Sequence, residues 1–586
     1  MKNTKILKKL LKKQIINETE IFLYKLLKKN ENLLVKIIII LLIYTYNTGH
    51  ISLNIKKKYS NKNIPKKIWK KFFNIKNYDK IIENSKIIGK ETSYNFPIIF
   101  YKKKFYFNKI FIIKKFFLPK IFTNTKINKN IKNIKKIFKK YDDNKLNKLQ
   151  KISVIMSIIK KIIFIIGNPG TGKTTVISSI IFFILKICKK IKKIKIAAMT
   201  GRAAHHMLNS IKKNLSKLKI KKNEKQNIPN KSYTIHRLLK IKSEITYVKF
   251  NKNKKINADL LIIDEASMIT PILFQNLIES TKKNTKIIFL GDFNQLPPIN
   301  EINIFKYLCK NLNNQFSNNM SKMLKYIINY KNKYKKKNTI INDHVCILKK
   351  KYRFTKKSGI QKISNMILKN DIENIRKEIK KNELNDVIFK EIKNFSQYKN
   401  MIKIIIRKYK KYWQSIKKKN DPKNILKEFN NIRILCAIKN GPFGTKEINK
   451  NIKKMMINQK IINKNKKWYI GKPIMIKKNQ KNLNIFNGYI GILLYDKNKK
   501  KKFFFITNDN NIIKLPTYVI KNYETSWSST IHKSQGSEFN ETIIIIPNKK
   551  KNFLSKNLIY TGITRTRKKT IIFSNKKTFI KSIQNK

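Results

Sequence analysis

Eight residues, Gly167-Asn-Pro-Gly-Thr-Gly-Lys-Thr174, constrain this chain more than any other stretch. They satisfy G-x-x-x-x-G-K-[ST] directly after the apolar run Ile162–Ile166 and directly before an apolar helical pattern. Such a turn works where a buried parallel strand hands over to a helix N-terminus, so it commits the surrounding sequence to an α/β sheet. Gly170 and Gly172 let backbone N–H groups turn inward around phosphate oxygens. Lys173 supplies a point charge to the β and γ phosphates, and Thr174 offers a hydroxyl to Mg²⁺. Gly167, Thr171 and Thr175 complete the candidate ATP-binding set. The bland alternative, a chance glycine turn, does not account for the strand and the helix on either side.

A second buried-type run, Leu260–Ile263, delivers Asp264 and Glu265 at its C-terminal end, the end that faces the nucleotide in a P-loop sheet. Asp264 is expected to hold the Mg²⁺ shell with Thr174, and Glu265 to orient and deprotonate an attacking water. That pairing belongs to NTP hydrolysis. Helix-capping acids are the competing explanation, but a strand ending in Asp-Glu is unusual in a chain with only 31 acidic residues among 586. After another strand comes Phe289-Leu-Gly-Asp292-Phe-Asn-Gln295, where Gln295 can accept from the water and donate to a phosphate oxygen.

Short apolar runs separated by helical lengths recur from Leu149 onward: Ile162–Ile166, Lys195–Ala198, Leu260–Ile263, Ile287–Leu290, Ile432–Ala437, Thr542–Ile546 and Thr570–Phe573. This alternation predicts parallel strands joined by crossover helices. Two α/β lobes accommodate it, over 145–350 and 351–586, with a small insertion near 240–258 in the first. Between 465 and 523 the runs are close-set, with turns at Phe486-Asn-Gly488 and Asn508-Asp-Asn510. This predicts a small β-barrel inserted in the second lobe. Residues 1–125 carry no catalytic motif and form a separate, mainly helical unit. The Lys/Asn-rich residues 126–144 are expected to be a linker that buries too little apolar surface to order itself. The apolar run Ile37–Tyr46 is about half the roughly 20 residues a membrane span needs, so it is expected to be a buried helix segment.

The net charge of +104 first suggests an anionic partner. The excess is spread over every segment, however, and accompanies an excess of Ile and Asn, residues that A/T-rich codons specify. Most of it is read as composition, and the run Lys497–Lys502 as a solvated loop. Four scattered cysteines, with no C-x-x-C pair, argue against disulfides or zinc and fit a reducing cytoplasm. No export signal or membrane partner is expected.

The P-loop, Asp264-Glu-Ala-Ser267, Gly291-Asp-Phe-Asn-Gln-Leu296, Thr530-Ile-His-Lys-Ser-Gln-Gly-Ser-Glu-Phe539 and Tyr560-Thr-Gly-Ile-Thr-Arg-Thr-Arg567 together resemble superfamily 1 helicases. In detail, with Thr200-Gly-Arg-Ala-Ala204, Thr234-Ile-His-Arg-Leu-Leu239, Lys351-Tyr-Arg-Phe354 and Gly441-Pro-Phe-Gly444, the chain resembles the RecD family over essentially all of 145–586. The resemblance implies RecA-like lobes, an SH3-like character for the β insertion, ATP and Mg²⁺ as cofactors, and 5′ to 3′ movement on DNA. It implies that Arg353 and Arg565 reach the γ phosphate from the side opposite Lys173 and that Gln150 reads the adenine. Thr200, Gly201, Arg202, Thr234, His236, Thr530, His532, Lys533 and Ser534 are the implied contacts to single-stranded DNA. It also implies duplex-end DNA as a substrate and RecB and RecC subunits as partners in exodeoxyribonuclease V, an enzyme of break repair, recombination and DNA degradation. Two other readings stay open: a stand-alone RecD-like helicase, and an architectural subunit whose catalysis has decayed.

Overall fold

The computed structural model describes residues 18–27, 31–47, 50–56, 66–75, 77–91, 95–117, 122, 131–141, 146–188, 190–218, 220–241, 250–251, 253–298, 303–309, 312–330, 340–353, 358–381, 383–463, 467–507, 511–548 and 554–585. All seven expected runs are strands, and each lies in one of two all-parallel sheets. The first sheet joins β5 (Ile162–Gly167), β6 (Ile194–Ala198), β7 (Ser232–Thr234), β8 (Leu260–Asp264), β9 (Lys286–Gly291) and β10 (Val345–Leu348) in the order β10-β5-β9-β8-β6-β7. The second joins β11 (Val387–Glu391), β12 (Ile432–Cys436), β18 (Ser528–Thr530), β19 (Phe539–Ile545) and β20 (Thr566–Ser574) in the order β11-β20-β19-β12-β18. Continuous apolar runs are what a strand covered on both faces requires, and β5 is buried at all six positions. Because every strand in a sheet points the same way, the residues that follow their C-terminal ends gather along one edge.

Between β12 and β18, five strands pair antiparallel: β13 (Pro473–Ile476), β14 (Ile490–Tyr495), β15 (Lys501–Ile506), β16 (Ile512–Pro516) and β17 (Tyr523–Thr525), in the order β16-β15-β14-β13-β17. Alternation in β15 puts Phe503 and Phe505 in this unit's own core and Phe504 against the second lobe, so the sheet is wedged onto the lobe by one face. Gly488, at φ +87°, makes the turn into β14. The turn at Asn508–Asn510 and the insertion residues 242–249 lie outside the described residues. Lys501 and Lys502 of the basic run open strand β15, and Lys502 pairs with Asp496 at 2.7 Å, so that run is only partly a loop.

The expectation of an unordered linker is corrected. Ile131–Tyr141 is a helix, with Ile134 and Phe138 fully buried in the first lobe's core. Phe138 stacks on Phe183 of the P-loop helix Lys173–Ile187, with ring centroids 4.2 Å apart. Its lysines are solvated while one apolar stripe docks, which is enough to order it. Phe138→Ala is expected to cost about 3–5 kcal/mol by leaving a cavity under that helix, read as a lower urea midpoint.

Ahead of it, the helix Leu33–Asn47 is buried from Ile37 to Thr45, as expected for the apolar run. A four-stranded sheet of β1 (Leu53–Asn54), β2 (Ile88–Lys90), β3 (Ile98–Tyr101) and β4 (Lys104–Phe107), in the order β1-β4-β3-β2, packs against it, a sheet the helical expectation did not contain. Among the described residues no helix is long and apolar enough to cross a membrane.

Candidate active site

At the C-terminal edge of the first sheet, the turn after β5 holds Gly170 at φ +84° and Gly172 at φ +80°. A Cβ on Gly170 would lie 2.7 Å from Arg353 Cβ, so glycine is required there for backbone shape and for space. Lys173 Nζ donates to Gly167 O at 2.5 Å, and Thr171 Oγ1 donates to Asn168 O at 2.9 Å. Gly170, Gly172, Lys173, Thr174 and Thr175 line a cleft of about 410 Å³ with Asp264, Glu265, Gln295, Arg353 and Arg565. All six expected catalytic residues therefore meet in one cleft.

Gln150 is beside it, but its polar atoms are already used. Its backbone N–H donates to Asn147 Oδ1, its Oε1 accepts from Asn147 N, and its Nε2 donates to Thr171 O at 3.2 Å. The first two bonds form a capping box on the helix Lys148–Ile159, and the third braces the P-loop.

Asp264 ends β8, and Glu265 follows at φ +51°, a left-handed conformation that is strained for a glutamate. The strain turns the two carboxylates into the cleft from adjacent positions. Burial first, and the charge of Glu265 second, hold the Asp264 carboxyl well above the ordinary carboxylate range, against the pull of Lys173 and Arg565. Gln295 is buried, and its Oε1, the oxygen expected to accept from a water, accepts from Arg565 Nη2. Arg565 Nη1 also lies 3.7 Å from Glu265 Oε1. Arg565 comes from the second lobe, directly after the helix Lys556–Thr564.

Arg353 sits differently from the expectation. It follows β10 of the first sheet, and the N–H of its neighbour Tyr352 donates to Gly170 O at 2.7 Å, so its backbone rests on the P-loop side of the cleft. Only its side chain crosses over, donating through Nη2 to Glu538 Oε1 of the second lobe. Phe354 lies outside the described residues. Glu538 is also bound by Arg567, at 2.8 Å and 3.0 Å. Burial alone would raise the Glu538 carboxyl, but Arg353 and Arg567 outweigh it and bring the group from 4.5 down to about 2. A depressed carboxylate stabilises the fold above its unfolded value and loses that contribution as pH falls through its folded value. Glu538 should therefore contribute fully above about pH 4.5 and progressively less towards pH 2. Glu538→Gln is expected to flatten that part of the acid dependence of the melting temperature.

The lobes touch at further points beside the cleft. Leu296 N donates to Thr561 Oγ1 at 3.0 Å, Gln535 Nε2 to Leu296 O at 3.2 Å, and Tyr560 Oη to Asp292 Oδ2 at 3.0 Å. Among the candidate DNA contacts, Thr200 and Thr234 cap the helices Gly201–Leu215 and Ile235–Leu239 with their hydroxyls. Gly201 lies at the edge beside Thr234, and His236 is exposed. Thr530, His532 and Lys533 stand at the C-terminal end of β18, with Lys533 Nζ held by Glu524 at 2.6 Å. Ser534 is buried and donates to Ile531 O, so its side chain faces inward. Arg202 Nη1 donates to Ser537 Oγ at 3.3 Å, across the lobes.

The cleft also contains residues that the motif reading passed over. Arg567, quoted in the last motif without a role, is the second residue of β20, and its half-exposed side chain reaches the cleft beside Glu538. His206, Ser210 and Asn214 recur at helical spacing on Gly201–Leu215 and line the cleft beyond the P-loop.

With this geometry in hand, comparison with known proteins gives three findings. The AAA domain family matches residues 150–301, and the UvrD-like helicase C-terminal domain matches 525–573. RecBCD enzyme subunit RecD of Buchnera aphidicola subsp. Schizaphis graminum is 43% identical over 401 residues, covering 66% of this chain and 66% of its own length. That of Haemophilus influenzae is 30% identical over 411 residues, covering 65% of this chain and 62% of its own. The chain thus matches just under two thirds of these relatives' length. A solved structure of Pif1 helicase from Bacteroides in complex with ADP-AlF3 and ssDNA overlays with TM-score 0.37 at 16% identity, covering 77% of this chain and 92% of that one. That likeness is too slight to add to a fold described from its own sheets.

Proposed function

We propose, from the premise that this chain belongs to the RecD family of helicase subunits, that it is an ATP-hydrolysing 5′ to 3′ DNA helicase acting with RecB and RecC subunits on duplex ends. One observation carries the catalytic part. Arg353 Nη1 and Arg565 Nε are buried donors with no hydrogen-bond partner among the described residues, and both guanidinium groups line the cleft that holds Lys173. Buried donors of this kind call for an acceptor, and the phosphate chain of ATP would supply one between them.

On this reading Lys173 and the P-loop N–H groups hold the β and γ phosphates, Glu265 takes a proton from the attacking water, and Arg565 neutralises charge as it develops on the γ phosphate. Gln295 is a positioning residue that sets the Arg565 guanidinium. Thr174 and Asp264 offer a hydroxyl and a carboxylate, a donor pair that suits a hard cation keeping several waters. Bound there, Mg²⁺ would neutralise phosphate charge.

Thr200, Gly201, Thr234, His236, Thr530, His532 and Lys533 lie at or just beyond strand ends along the parallel-sheet edges, where a single strand could cross both lobes by its backbone. The antiparallel unit of β13–β17 is assigned an SH3-like role beside that path, the N-terminal unit a role in docking the partner subunits, and the protein a cytoplasmic location. The test is ATP hydrolysis by the purified chain with and without single-stranded DNA, then with RecB and RecC added. DNA stimulation supports the motor, and a further gain with the partners supports the subunit over a stand-alone helicase. A folded chain that hydrolyses nothing in any combination returns the architectural reading.

A further inference from the structure

Arg202 stands among residues that the family resemblance assigns to the DNA strand, yet its side chain is directed elsewhere. Its Nη1 donates to Ser537 Oγ at 3.3 Å, from the second residue of the helix Gly201–Leu215 in the first lobe to a buried serine of the second. Among the described residues no carboxylate lies within ion-pair distance of Arg202, and its guanidinium is anchored on one neutral hydroxyl. The other oxygen of Ser537, its carbonyl, accepts from Arg565 Nη1 at 3.3 Å. A single buried residue therefore sits between two arginines, one at the candidate strand-binding edge and one at the ATP cleft. Arg565 in turn donates to Gln295 Oε1 and approaches Glu265.

The backbone around Ser537 has no slack in which to absorb a displacement. Gly536, at φ +73°, is seated so closely on the helix that a Cβ there would lie 2.5 Å from Ala203 Cβ and 3.0 Å from Thr200 Oγ1. Thr200 is the N-cap of that helix, and its hydroxyl holds Ala203 N at 3.2 Å. A strand settling on the Thr200–Gly201 edge would press on the same few atoms on which Gly536 and Ser537 rest. Packed interiors transmit such shifts instead of absorbing them.

We infer that Arg202 is a positioning residue, one that transmits occupancy of the strand-binding edge through Ser537 to Arg565, and so sets how far hydrolysis is stimulated by DNA. The inference rests on the motor reading and assigns to this one arginine a task other than holding a phosphate. The two tasks differ in what they need. A phosphate contact needs a charge, which Lys can replace with little loss. A relay through a side-chain hydroxyl needs the guanidinium's reach and direction.

The experiment uses the full chain and its variants Arg202→Ala, Arg202→Lys, Ser537→Ala and the Arg202→Ala/Ser537→Ala double variant. Two quantities are read: the ratio of ATP hydrolysis with and without single-stranded DNA, and the slope of log affinity for that DNA against log salt. The relay predicts that the ratio falls at least about tenfold in each single variant, Arg202→Lys included, and no further in the double variant, because both substitutions break one connection. It also predicts an unchanged salt slope. A direct phosphate contact would instead lower the slope by about 0.7 in Arg202→Ala and leave Arg202→Lys near wild type. Either of those results, or losses that multiply in the double variant, overturns the relay. A wild-type chain that hydrolyses ATP but ignores DNA ends the motor reading and this inference together, whereas a stimulated wild type with equally stimulated variants ends only the inference.

Discussion

Lys173→Ala is expected to reduce ATP hydrolysis by about a thousandfold or more, with single-stranded DNA present or absent. Lys173 is the cation carried by the P-loop itself, and its ammonium already lies against the loop, 2.5 Å from Gly167 O and 3.4 Å from Asn168 O. Alanine removes the charge that the β and γ phosphates would meet while leaving the N-terminal backbone donors of Lys173–Ile187 in place. The fold should tolerate the change, since Lys173 opens the helix and alanine is the best helix former. Loss of hydrolysis with an unchanged melting temperature is therefore the expected pair of results. Hydrolysis within tenfold of wild type would sink the assignment of this cleft as the ATP site.

Much of this architecture is legible in the amino-acid sequence. Seven short apolar runs mark seven of the eleven strands in the two parallel sheets, because a strand covered on two faces needs continuous apolar sequence; the short strands β7, β10, β11 and β18 lie outside those runs. Lys173, Asp264, Glu265, Gln295 and Arg565 converge in the cleft because each ends a strand, follows a strand end or immediately precedes a strand. The helix Ile131–Tyr141 was hidden by its composition. Its five lysines and one asparagine resemble a linker, although Ile131, Ile134, Ile137, Phe138 and Tyr141 lie on the helical period and all pack on the first lobe.

Side-chain pairing was harder to read than position. That Arg565 would occupy the Gln295 oxygen, or that Glu538 would collect both Arg353 and Arg567, depends on lobe placement that no local pattern encodes. The side of the cleft to which Arg353 belongs is not legible in its motif for the same reason. The motif names the guanidinium, and only the bond from Tyr352 N to Gly170 O says where its backbone rests.

That distinction makes Arg565 the more consequential of the two arginines. Arg565→Ala is expected to lower the rate of hydrolysis by about 10³-fold or more while nucleotide affinity falls only several-fold, since an arginine that meets charge developing in the transition state acts on rate more than on binding. Arg565 is buried, only 4% exposed, so what it offers the γ phosphate is not diluted by water. Arg565→Lys should recover less than about a tenth of the rate. One ammonium cannot at once reach Gln295 Oε1 and Ser537 O and keep a donor directed into the cleft, whereas the planar fork with its five donors can. The check is single-turnover hydrolysis beside binding of a non-hydrolysable ATP analogue, with melting temperature separating loss of chemistry from loss of fold. If Arg565→Ala keeps more than about a tenth of the wild-type rate, the second lobe does not supply the decisive charge. Arg353, with its backbone on the P-loop and an Nη1 that has no partner among the described residues, would then have to supply it from the first lobe's side. In that case closure of the lobes would be needed for gripping DNA but not for the chemistry.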